Sequence, residues 1–365
     1  MIDSLKKIFL FGILFLYTLF ASGLVQAFDS AAVGRHKIPF LPKDNLSLVR
    51  DKIIANGYKF TVSSNWVVEL APERRQRMRS RRFSKGVRWE SRARALEPLM
   101  RHLEQPLPDR FDWRNVEDGL SYIGPVRHQG SCGACYAFSA CAAAEGAYNI
   151  ATNRYNESCV DFSEAFITFC LASLYDGFDG CTGSDYDYEE LDALVREGVC
   201  LEEFFSYNPL DRRCPLDMSL PTVKFDSWHR LPCNDIDAIK RAIRYFGVVD
   251  VSVLTNRAFD AYESGIYEDS MTSCQDVYSG LCYYAATDHV VALVGWDDNE
   301  GDGYWILRNS WGTDWGEGGY MRIKYNAAHV ACAACYLVFI ADLPVVPVQP
   351  AGVESWLPLL LKDEG

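Results

Sequence analysis

The sequence has no excess of positive charge, no excess of Gly or Pro and, beyond its N-terminus, no long apolar run. Its 36 Lys and Arg against 49 Asp and Glu give a net charge of -13. This balance argues against a nucleic-acid-binding protein, because affinity for phosphates needs a basic face. The 26 Gly and 15 Pro are too few for a collagenous or low-complexity chain of 365 residues. Two or three globular domains are expected at this length.

Residues 1–27 have the features of a secretory signal peptide. Lys6 and Lys7 precede an uncharged, mostly apolar run at residues 8–20, and small residues follow up to Ala27. The run is short for the roughly 30 Å hydrocarbon core of a bilayer, so a retained membrane helix is the weaker interpretation. We therefore predict a protein of the secretory pathway, located in a lysosome, a vacuole or the extracellular space, without a stable membrane span.

The secretory route gives meaning to two further features of the sequence. The chain has 13 cysteines, an odd number, so complete pairing would leave one thiol that is either an intermolecular partner or a reactive group. Asn45 and Asn156 each stand in an Asn-X-Ser triplet and are candidate glycosylation sites.

Charge divides the rest of the chain into two unlike parts. Residues 28–107 hold 17 Lys and Arg against 8 Asp and Glu, a net charge of +9, whereas residues 108–365 hold 17 against 40, a net charge of -23. Basic stretches are ordinarily solvated, flexible segments. The complementary charges also favour a removable pro-segment at residues 28–107 that binds an acidic partner and loosens when carboxylates are protonated.

Hydrophobic patterns predict helices in the first part of the chain and strands in the second. The predicted helices are one that Asp44 caps and Gly57 ends, a long Ala-rich one from Cys135 to about Ile150, and two at 163–172 and 186–197. Beyond Pro221 short strands are predicted at 248–253, 289–294, 304–307 and 320–323, interrupted by one helix with Asp237 as its cap. The boundary between the two parts falls near residues 215–223.

A glycine-containing loop delivers Cys135 to the first turn of the predicted long helix. Unsatisfied N–H groups at a helix N-terminus stabilise a thiolate, which makes this cysteine a candidate nucleophile. A thiolate that attacks an acyl carbon needs an imidazole to protonate the leaving amine and a group that orients the imidazole. His289, at the start of one strand, and Asn309, at the end of another, supply both. Gln129, six residues before Cys135, is a candidate hydrogen-bond donor to the oxyanion.

These residues stand in motifs that resemble the papain-like cysteine proteases. The nucleophile lies in Cys132-Gly133-Ala134-Cys135-Tyr136, and His289 and Asn309 follow 154 and 174 residues after Cys135, the latter in Asn309-Ser310-Trp311-Gly312. The resemblance covers residues 109–344. It implies an α+β fold of two domains, a helical left domain at 108–222 and a β-barrel-like right domain at 223–344, with the active-site cleft between them.

The resemblance also implies an activity and its partners. The chain is expected to be a cysteine-type endopeptidase, a hydrolase of polypeptides that needs neither a cofactor nor a metal. It would be made as a zymogen whose own pro-segment inhibits it, and it would be a monomer after cleavage between about Met100 and Leu107. Residues 345–365 would form a C-terminal extension.

Further site residues follow from the same resemblance. Gly183 and Ser184 are expected to bind substrate, although Ser184 stands where the family commonly has Gly. Trp311 would shield the catalytic pair from water, and Ile340 would form the floor of the S2 pocket and favour an apolar P2 side chain.

The resemblance implies disulfide bonds as well. Cys132 would pair with Cys181, and Cys170 with Cys214. A third bond would join Cys274 or Cys282 to Cys332 or Cys335, with Cys335 favoured.

Three other functions remain open for these residues. Cys132 and Cys135 at a helix start are also typical of a dithiol oxidoreductase. The same two residues with Cys332 and Cys335 could form a zinc site. The third alternative is a non-catalytic homologue that binds peptides in the cleft without cleaving them.

Overall fold

The computed structural model describes residues 37–79, 106–116, 119–175, 177–185, 188–210, 214, 220–270 and 287–341, and the backbone of two short strands at 277–278 and 281–282. The predicted signal peptide, residues 100–105 of the predicted cleavage region and the predicted C-terminal extension lie outside these residues.

Four short elements form the N-terminal segment, residues 39–79: α1 (Leu46–Asn56), β1 (Phe60–Val62), α2 (Trp66–Glu69) and α3 (Pro72–Met78). Gly57 ends α1 in the left-handed conformation at φ 72°, as predicted. The predicted cap is wrong, since Asn45 accepts from the Leu48 N–H at 2.9 Å. Asp44 cannot serve because its buried carboxylate accepts from Lys52 Nζ at 2.6 Å.

A helical layer follows, with elements β2 (Arg110–Asp112), α4 (Cys135–Ala151), a π-helical turn (Phe166–Cys170), β3 (Phe178–Asp179), β4 (Gly183–Ser184) and α5 (Glu189–Arg196). The Ala-rich composition of α4 favours a helix and lets it pack closely against its surroundings. A Cβ at Gly146 would lie 2.5 Å from Cγ2 of Val248, so this position admits no side chain without a shift of the neighbouring chain.

The rest of the described chain is rich in strands: β5 (Ser227–Arg230), α6 (Ile236–Phe246), β6 (Val249–Val253), α7 (Arg257–Asp260), β7 (Tyr262–Tyr267), β8 (Val277–Tyr278), β9 (Leu281–Cys282), β10 (His289–Asp297), β11 (Tyr304–Arg308), β12 (Tyr320–Lys324) and β13 (Ala334–Val338). Asp235, and not the predicted Asp237, caps α6 by accepting from the Ala238 N–H at 2.9 Å. Asp237 pairs with Arg241 one turn later, at 2.7 Å.

The main sheet has the strand order β1-β7-β12-β11-β10-β6-β13-β5, and β2 adds to β10. The β12–β7 pair is parallel and the other pairs are antiparallel. The strands that the structure describes form an open path and do not close into a barrel. All nine residues of β10 are buried, which is why the sequence of this strand is almost continuously apolar. The α+β fold class is confirmed.

Two large apolar cores hold the described layers together, and a small third cluster contains Cys132, Ala134 and Phe138. One large core lies between α4, the π-helical turn and α5, and the other joins the sheet, α6 and the N-terminal segment. The two cores match the predicted helical and β-rich halves in outline, and the proposed domain boundaries stay a prediction. In the part of the chain that the structure describes, no helix is both long and apolar enough to cross a membrane.

Candidate active site

Cys135 is the first residue of α4, and its side chain is buried. Just before it, Cys132 forms a disulfide bond with Cys181, and the Gly133 N–H donates to the Cys181 carbonyl at 3.1 Å. Cys135 takes part in no disulfide bond. The loop is therefore anchored to the chain around Cys181, and this anchor fixes the sulfur of Cys135 at the positive end of a 17-residue helix.

His289 opens β10, and Asn309 follows the neighbouring strand β11. The His289 Nε2 and Asn309 Oδ1 atoms are 2.8 Å apart. The Ser310 N–H donates to the same oxygen at 2.8 Å, which identifies that atom as an acceptor. His289 Nε2 therefore carries the proton, and Nδ1 carries the lone pair. Within the described residues, Nδ1 is buried and has no hydrogen-bond partner.

Trp311 covers this pair on one side. It is fully buried, and its ring lies 4.7 Å from the His289 ring with an angle of 27° between the planes. The Trp315 ring packs edge-on against the Trp311 ring, with 5.3 Å between the ring centroids. An apolar cover of this kind excludes water and strengthens the hydrogen bond between His289 and Asn309.

A hydrogen bond aligns α4 with β10. Ser139, one turn after Cys135, donates its hydroxyl to the Val291 carbonyl at 2.8 Å. Residues four apart share a helix face, and residues two apart share a strand face. The Cys135 side chain therefore lies on the face of α4 that meets β10, and the His289 side chain lies on the same face of β10 as Val291.

Gln129 joins the loop of the cysteine to the strand of the asparagine. Its Oε1 accepts from the Ser310 hydroxyl at 2.6 Å, and its backbone N–H donates to the Ser310 carbonyl at 2.9 Å. The hydrogen bond from Ser310 assigns the oxygen of the side-chain amide, and so also its nitrogen. Its Nε2 donates to the Cys132 carbonyl and to the Met78 carbonyl, both at 2.8 Å. Gln129 is completely buried, so its amide cannot turn away.

The N-terminal segment lies directly over these residues. The Trp66 indole donates to the Trp311 carbonyl at 2.9 Å and packs on the His128 ring at 4.5 Å. Strand β1 pairs with β7, and Met78 at the end of α3 is completely buried. The carbonyl that Gln129 contacts thus belongs to a peptide unit of this segment.

Arg79 follows Met78 and brings a cation beside the histidine. Its guanidinium forms an ion pair with the Asp260 carboxylate and lies 3.9 Å from the Asp288 carboxylate. Asp288 immediately precedes His289 and accepts from the N–H and hydroxyl of Thr255 at 2.7 and 3.0 Å. Burial raises the pKa of Asp288 to about 6, against the effect of Arg79.

The protonation state of His289 follows from its burial beneath the N-terminal segment and from the nearby Arg79 cation. Burial lowers the pKa of His289 to about 3, the hydrogen bond with Asn309 opposes this, and the Arg79 cation lowers it further. The imidazole is therefore neutral at mildly acidic and neutral pH while the N-terminal segment is in place.

A buried ion pair involves Arg308, the residue directly before Asn309. Arg308 lies 3.4 Å from the Glu145 carboxylate of α4 and donates to the Pro125 carbonyl at 2.5 Å. Burial raises the pKa of Glu145 to about 7, although Arg308 opposes this shift. The ion pair ties the helix that begins at Cys135 to the strand that ends before Asn309.

The disulfide bonds test the expected pairing. Cys132–Cys181 and Cys170–Cys214 are present as predicted. The preference for Cys335 is wrong: Cys335 is in no disulfide bond, whereas Cys332 is in one. Cys335 lies inside β13, where pairing with β5 and β6 directs its side chain into the apolar core.

Other cysteines complete this account. Cys233, for which the sequence suggested no pairing, is also disulfide-bonded. The side chains of the predicted partners Cys274 and Cys282 lie outside the described residues. Cys141, Cys159 and Cys200 remain thiols.

These bonds also bear on two of the alternative functions. A dithiol oxidoreductase would pair Cys132 with Cys135, but Cys132 pairs with Cys181. A zinc site of four thiolates is excluded at these positions, because Cys132 and Cys332 are held in disulfide bonds.

The structure describes the predicted subsite residues and the predicted glycosylation sites. Gly183 adopts a φ of 111°, and the buried Ser184 donates its hydroxyl to the Glu190 carboxylate at 3.2 Å. Ile340 lies just after β13 and its N–H donates to Asp226 at 2.7 Å. Asn45 and Asn156 are both exposed.

Sequence reasoning missed three residues of the site. Ser310 orients Gln129, and its place between Asn309 and Trp311 in a recognised motif was a usable signal. Arg79 belongs to the basic run that suggested a pro-segment, but nothing marked this arginine among its neighbours. Met78 acts through its backbone carbonyl, which every residue type possesses.

Comparisons with known proteins agree with this geometry. A family model described as papain family cysteine protease matches residues 107–339. The chain is 34% identical over 262 residues to cysteine proteinase 1 of Entamoeba histolytica, covering 70% of this chain and 72% of that protein. It is 31% identical over 263 residues to the oryzain beta chain of Oryza sativa, covering 71% of this chain and 51% of that protein. The chain spans about half the length of the first curated relatives it matches.

Two solved structures extend the comparison. A cysteine protease of Carica candamarcensis in complex with E-64 matches with a TM-score of 0.53 and 30% identity, over 64% of this chain and all of that one. Digestive procathepsin L 3 of Tenebrio molitor matches with a TM-score of 0.64, over 80% of this chain and 88% of that one, at 24% identity. The second match shows a common fold.

Proposed function

The chain belongs to the papain family of cysteine proteases, and from this we propose that it hydrolyses peptide bonds as an endopeptidase through Cys135, His289 and Asn309. The observation that carries the proposal is the His289–Asn309 hydrogen bond. It leaves the lone pair of Nδ1 available to a sulfur on the face of α4 that meets β10.

The proposed reaction has two steps. His289 Nδ1 takes the proton of Cys135, and the thiolate adds to the carbonyl carbon of the substrate. The resulting imidazolium gives this proton to the amine as the carbon–nitrogen bond breaks, which leaves an acyl group on Cys135. Water then loses a proton to His289 and adds to the acyl carbon. The carbon–sulfur bond breaks, the carboxylic acid product leaves, and the proton on His289 is again shared with Cys135. Asn309 keeps the ring in one orientation throughout by accepting from Nε2–H.

Gln129 is the proposed donor to the oxyanion of each tetrahedral intermediate. Its Nε2 already donates to a peptide carbonyl, that of Met78, at 2.8 Å. The backbone N–H of Cys135 at the start of α4 is the proposed second donor.

Replacement of Gln129 by Ala is expected to lower kcat about 10²–10³-fold with little change in KM, because the lost donor acts on charge that develops in the transition state. Steady-state kinetics with a fluorogenic peptide measures both constants. Glu202→Gln, a change in a side chain that binds the Tyr207 N–H, is the control and should keep kcat near wild type. A rise in KM alone would assign Gln129 to ground-state binding.

We also propose that the chain is a zymogen of the secretory pathway and that its N-terminal segment keeps it latent. Support comes from the position of this segment over Gln129 and Trp311, and from its basic charge against an acidic remainder. The lowered pKa of His289 makes transfer of the Cys135 proton to Nδ1 unfavourable, and so disfavours the thiolate–imidazolium pair that a cysteine nucleophile needs. The apolar residue Ile340 is the proposed floor of the S2 pocket and would favour an apolar P2 side chain.

Latency predicts a difference in the reactivity of Cys135. With the segment in place, alkylation of Cys135 should be slow at mildly acidic and neutral pH, because the lowered pKa of His289 disfavours the thiolate–imidazolium pair. Removal of the segment takes away the Arg79 cation and readmits water. Both changes raise the pKa of His289 toward its ordinary range, so alkylation should become fast at mildly acidic pH. Mass spectrometry of the Cys135 peptide gives the rate separately from those of the other thiols, with Cys141 as the internal control. Equal rates before and after processing would contradict the proposed latency.

The proposed activity is tested on the full-length chain after processing at acidic pH. A fluorogenic peptide with an apolar P2 residue should be cleaved, and a thiol-alkylating inhibitor should stop cleavage while labelling Cys135. Reduction of insulin disulfides without peptide cleavage would support the dithiol oxidoreductase. Peptide binding without cleavage would support the non-catalytic homologue.

A further inference from the structure

The guanidinium of Arg79 occupies a pocket between two carboxylates. It pairs with Asp260 and lies 3.9 Å from Asp288. The exposed fractions of the three side chains are 12% for Arg79, 3% for Asp260 and 14% for Asp288, so the whole group is largely shielded from water. Removal of one partner from an ion pair that is shielded in this way is far more costly than from an exposed pair, because it leaves a poorly solvated charge without its counter-charge.

The pocket is built by the β-rich part of the chain. The Asp260 carbonyl, at the end of α7, accepts from the Trp315 indole at 3.1 Å. The Asp288 carboxylate is held by the N–H and hydroxyl of Thr255, and its backbone leads directly into His289. Arg257, a cation of α7 itself, directs its guanidinium to the carbonyls of Asp44 and Val68 in the N-terminal segment. Removal of the N-terminal segment would take the Arg79 guanidinium away and leave the carboxylates of Asp260 and Asp288 beside the histidine.

The position of the pocket relative to the reaction follows from His289, which gives its proton to the leaving amine in the proposed mechanism. Asp288 immediately precedes His289 in the chain, and its carboxylate and that of Asp260 flank the Arg79 guanidinium. The pocket therefore lies on the leaving-group side of the scissile bond, where a substrate carries the residue that follows that bond.

We propose that Asp260 and Asp288 form a cation-binding subsite that selects Arg, and next Lys, as the residue directly after the scissile bond of the substrate. The Arg79 guanidinium occupies this subsite in the latent chain. The inference rests on the proposed function and specifies its substrate class. A planar guanidinium suits the pocket better than an ammonium, because it can donate to two carboxylates at once.

The experiment uses the full-length chain after processing at acidic pH, with its active sites counted by titration with an irreversible thiol inhibitor. Four internally quenched peptides differ in one position, the residue after the cleaved bond, which is Arg, Lys, Gln or Glu. Mass spectrometry of the products verifies that each peptide is cut at the same bond. The kcat/KM for the Arg peptide is expected to exceed that for the Gln peptide by about tenfold to a hundredfold, and the Glu peptide should be the poorest.

Two variants and one control locate the effect. Asp260→Asn and Asp288→Asn should each reduce the ratio of Arg to Gln cleavage at least several-fold. Glu263→Gln, which removes the same charge from an exposed position on β7, should keep the ratio of the wild type. The ratio is measured within each variant, so a general loss of activity does not affect it.

The outcomes separate the two hypotheses. If the wild type cleaves the Arg and Gln peptides equally well, the subsite is refuted while the proposed protease activity stands, and this comparison needs no variant to fold. If the preference exists but survives in both Asn variants, these carboxylates are not its source. If no peptide is cleaved at all, the proposed function fails and the inference fails with it.

Discussion

Replacement of Cys135 by Ala is expected to lower kcat/KM for peptide cleavage about 10⁴-fold or more, because the nucleophile that forms the acyl intermediate is lost. Ala also starts α4 without strain, since it is a good helix former. The measurement is cleavage of the fluorogenic peptide by processed protein. The variant chain is not expected to process itself, so processing is carried out by added wild-type enzyme that is afterwards inactivated with an alkylating inhibitor.

Cys141→Ala is the matched control for this change. Cys141 lies on the same helix, is equally buried and is in no disulfide bond. Its thiol faces the apolar core of the helical layer, and burial raises its pKa well above the usual value. The control variant should keep cleavage within a few-fold of wild type. Loss of activity in both variants would indicate that a thiol in α4 matters for packing and not for chemistry.

The long helix and the central strand were predictable because their causes are local. An Ala-rich stretch without Pro predicts α4 from Cys135, and a continuous apolar run predicts β10 from His289. Helix caps depend on competition that a sequence does not display. Asp44 is as good a cap as Asn45 by residue type, but a buried Lys52 binds its carboxylate and leaves the cap to Asn45.

The proposed catalytic residues of the candidate site were predictable, but their arrangement was not. Cys135, His289 and Asn309 could be identified from their spacing within recognised motifs. How α4 is aligned with β10 could not be predicted, because it depends on the contact between Ser139 and Val291. The residues of the N-terminal segment that cover the site could not be predicted one by one. Gln129 contacts a backbone carbonyl of that segment, and every residue type has such a carbonyl. The error at Cys335 has the same origin. A position counted along the chain cannot tell whether a side chain points into the core or toward a partner thiol.

Replacement of His289 by Ala is expected to lower kcat/KM about as much as the loss of Cys135, about 10⁴-fold or more, since the thiolate loses both its proton acceptor and its cationic partner. A merely structural histidine would lower activity without changing the chemistry of the sulfur. The rate of alkylation of Cys135 in processed protein separates the two cases, because it should fall in His289→Ala at mildly acidic pH.

His229→Ala is the control for this prediction. His229 lies on β5, and its Nε2 is 2.7 Å from the Ser227 hydroxyl, so both the cleavage and the alkylation rates should stay near wild type. The double variant Cys135→Ala/His289→Ala should be no slower than either single variant, because two residues that act as one unit do not contribute additively. A further large loss in the double variant would contradict the proposed pair and would require His289 to act on the substrate independently of the sulfur.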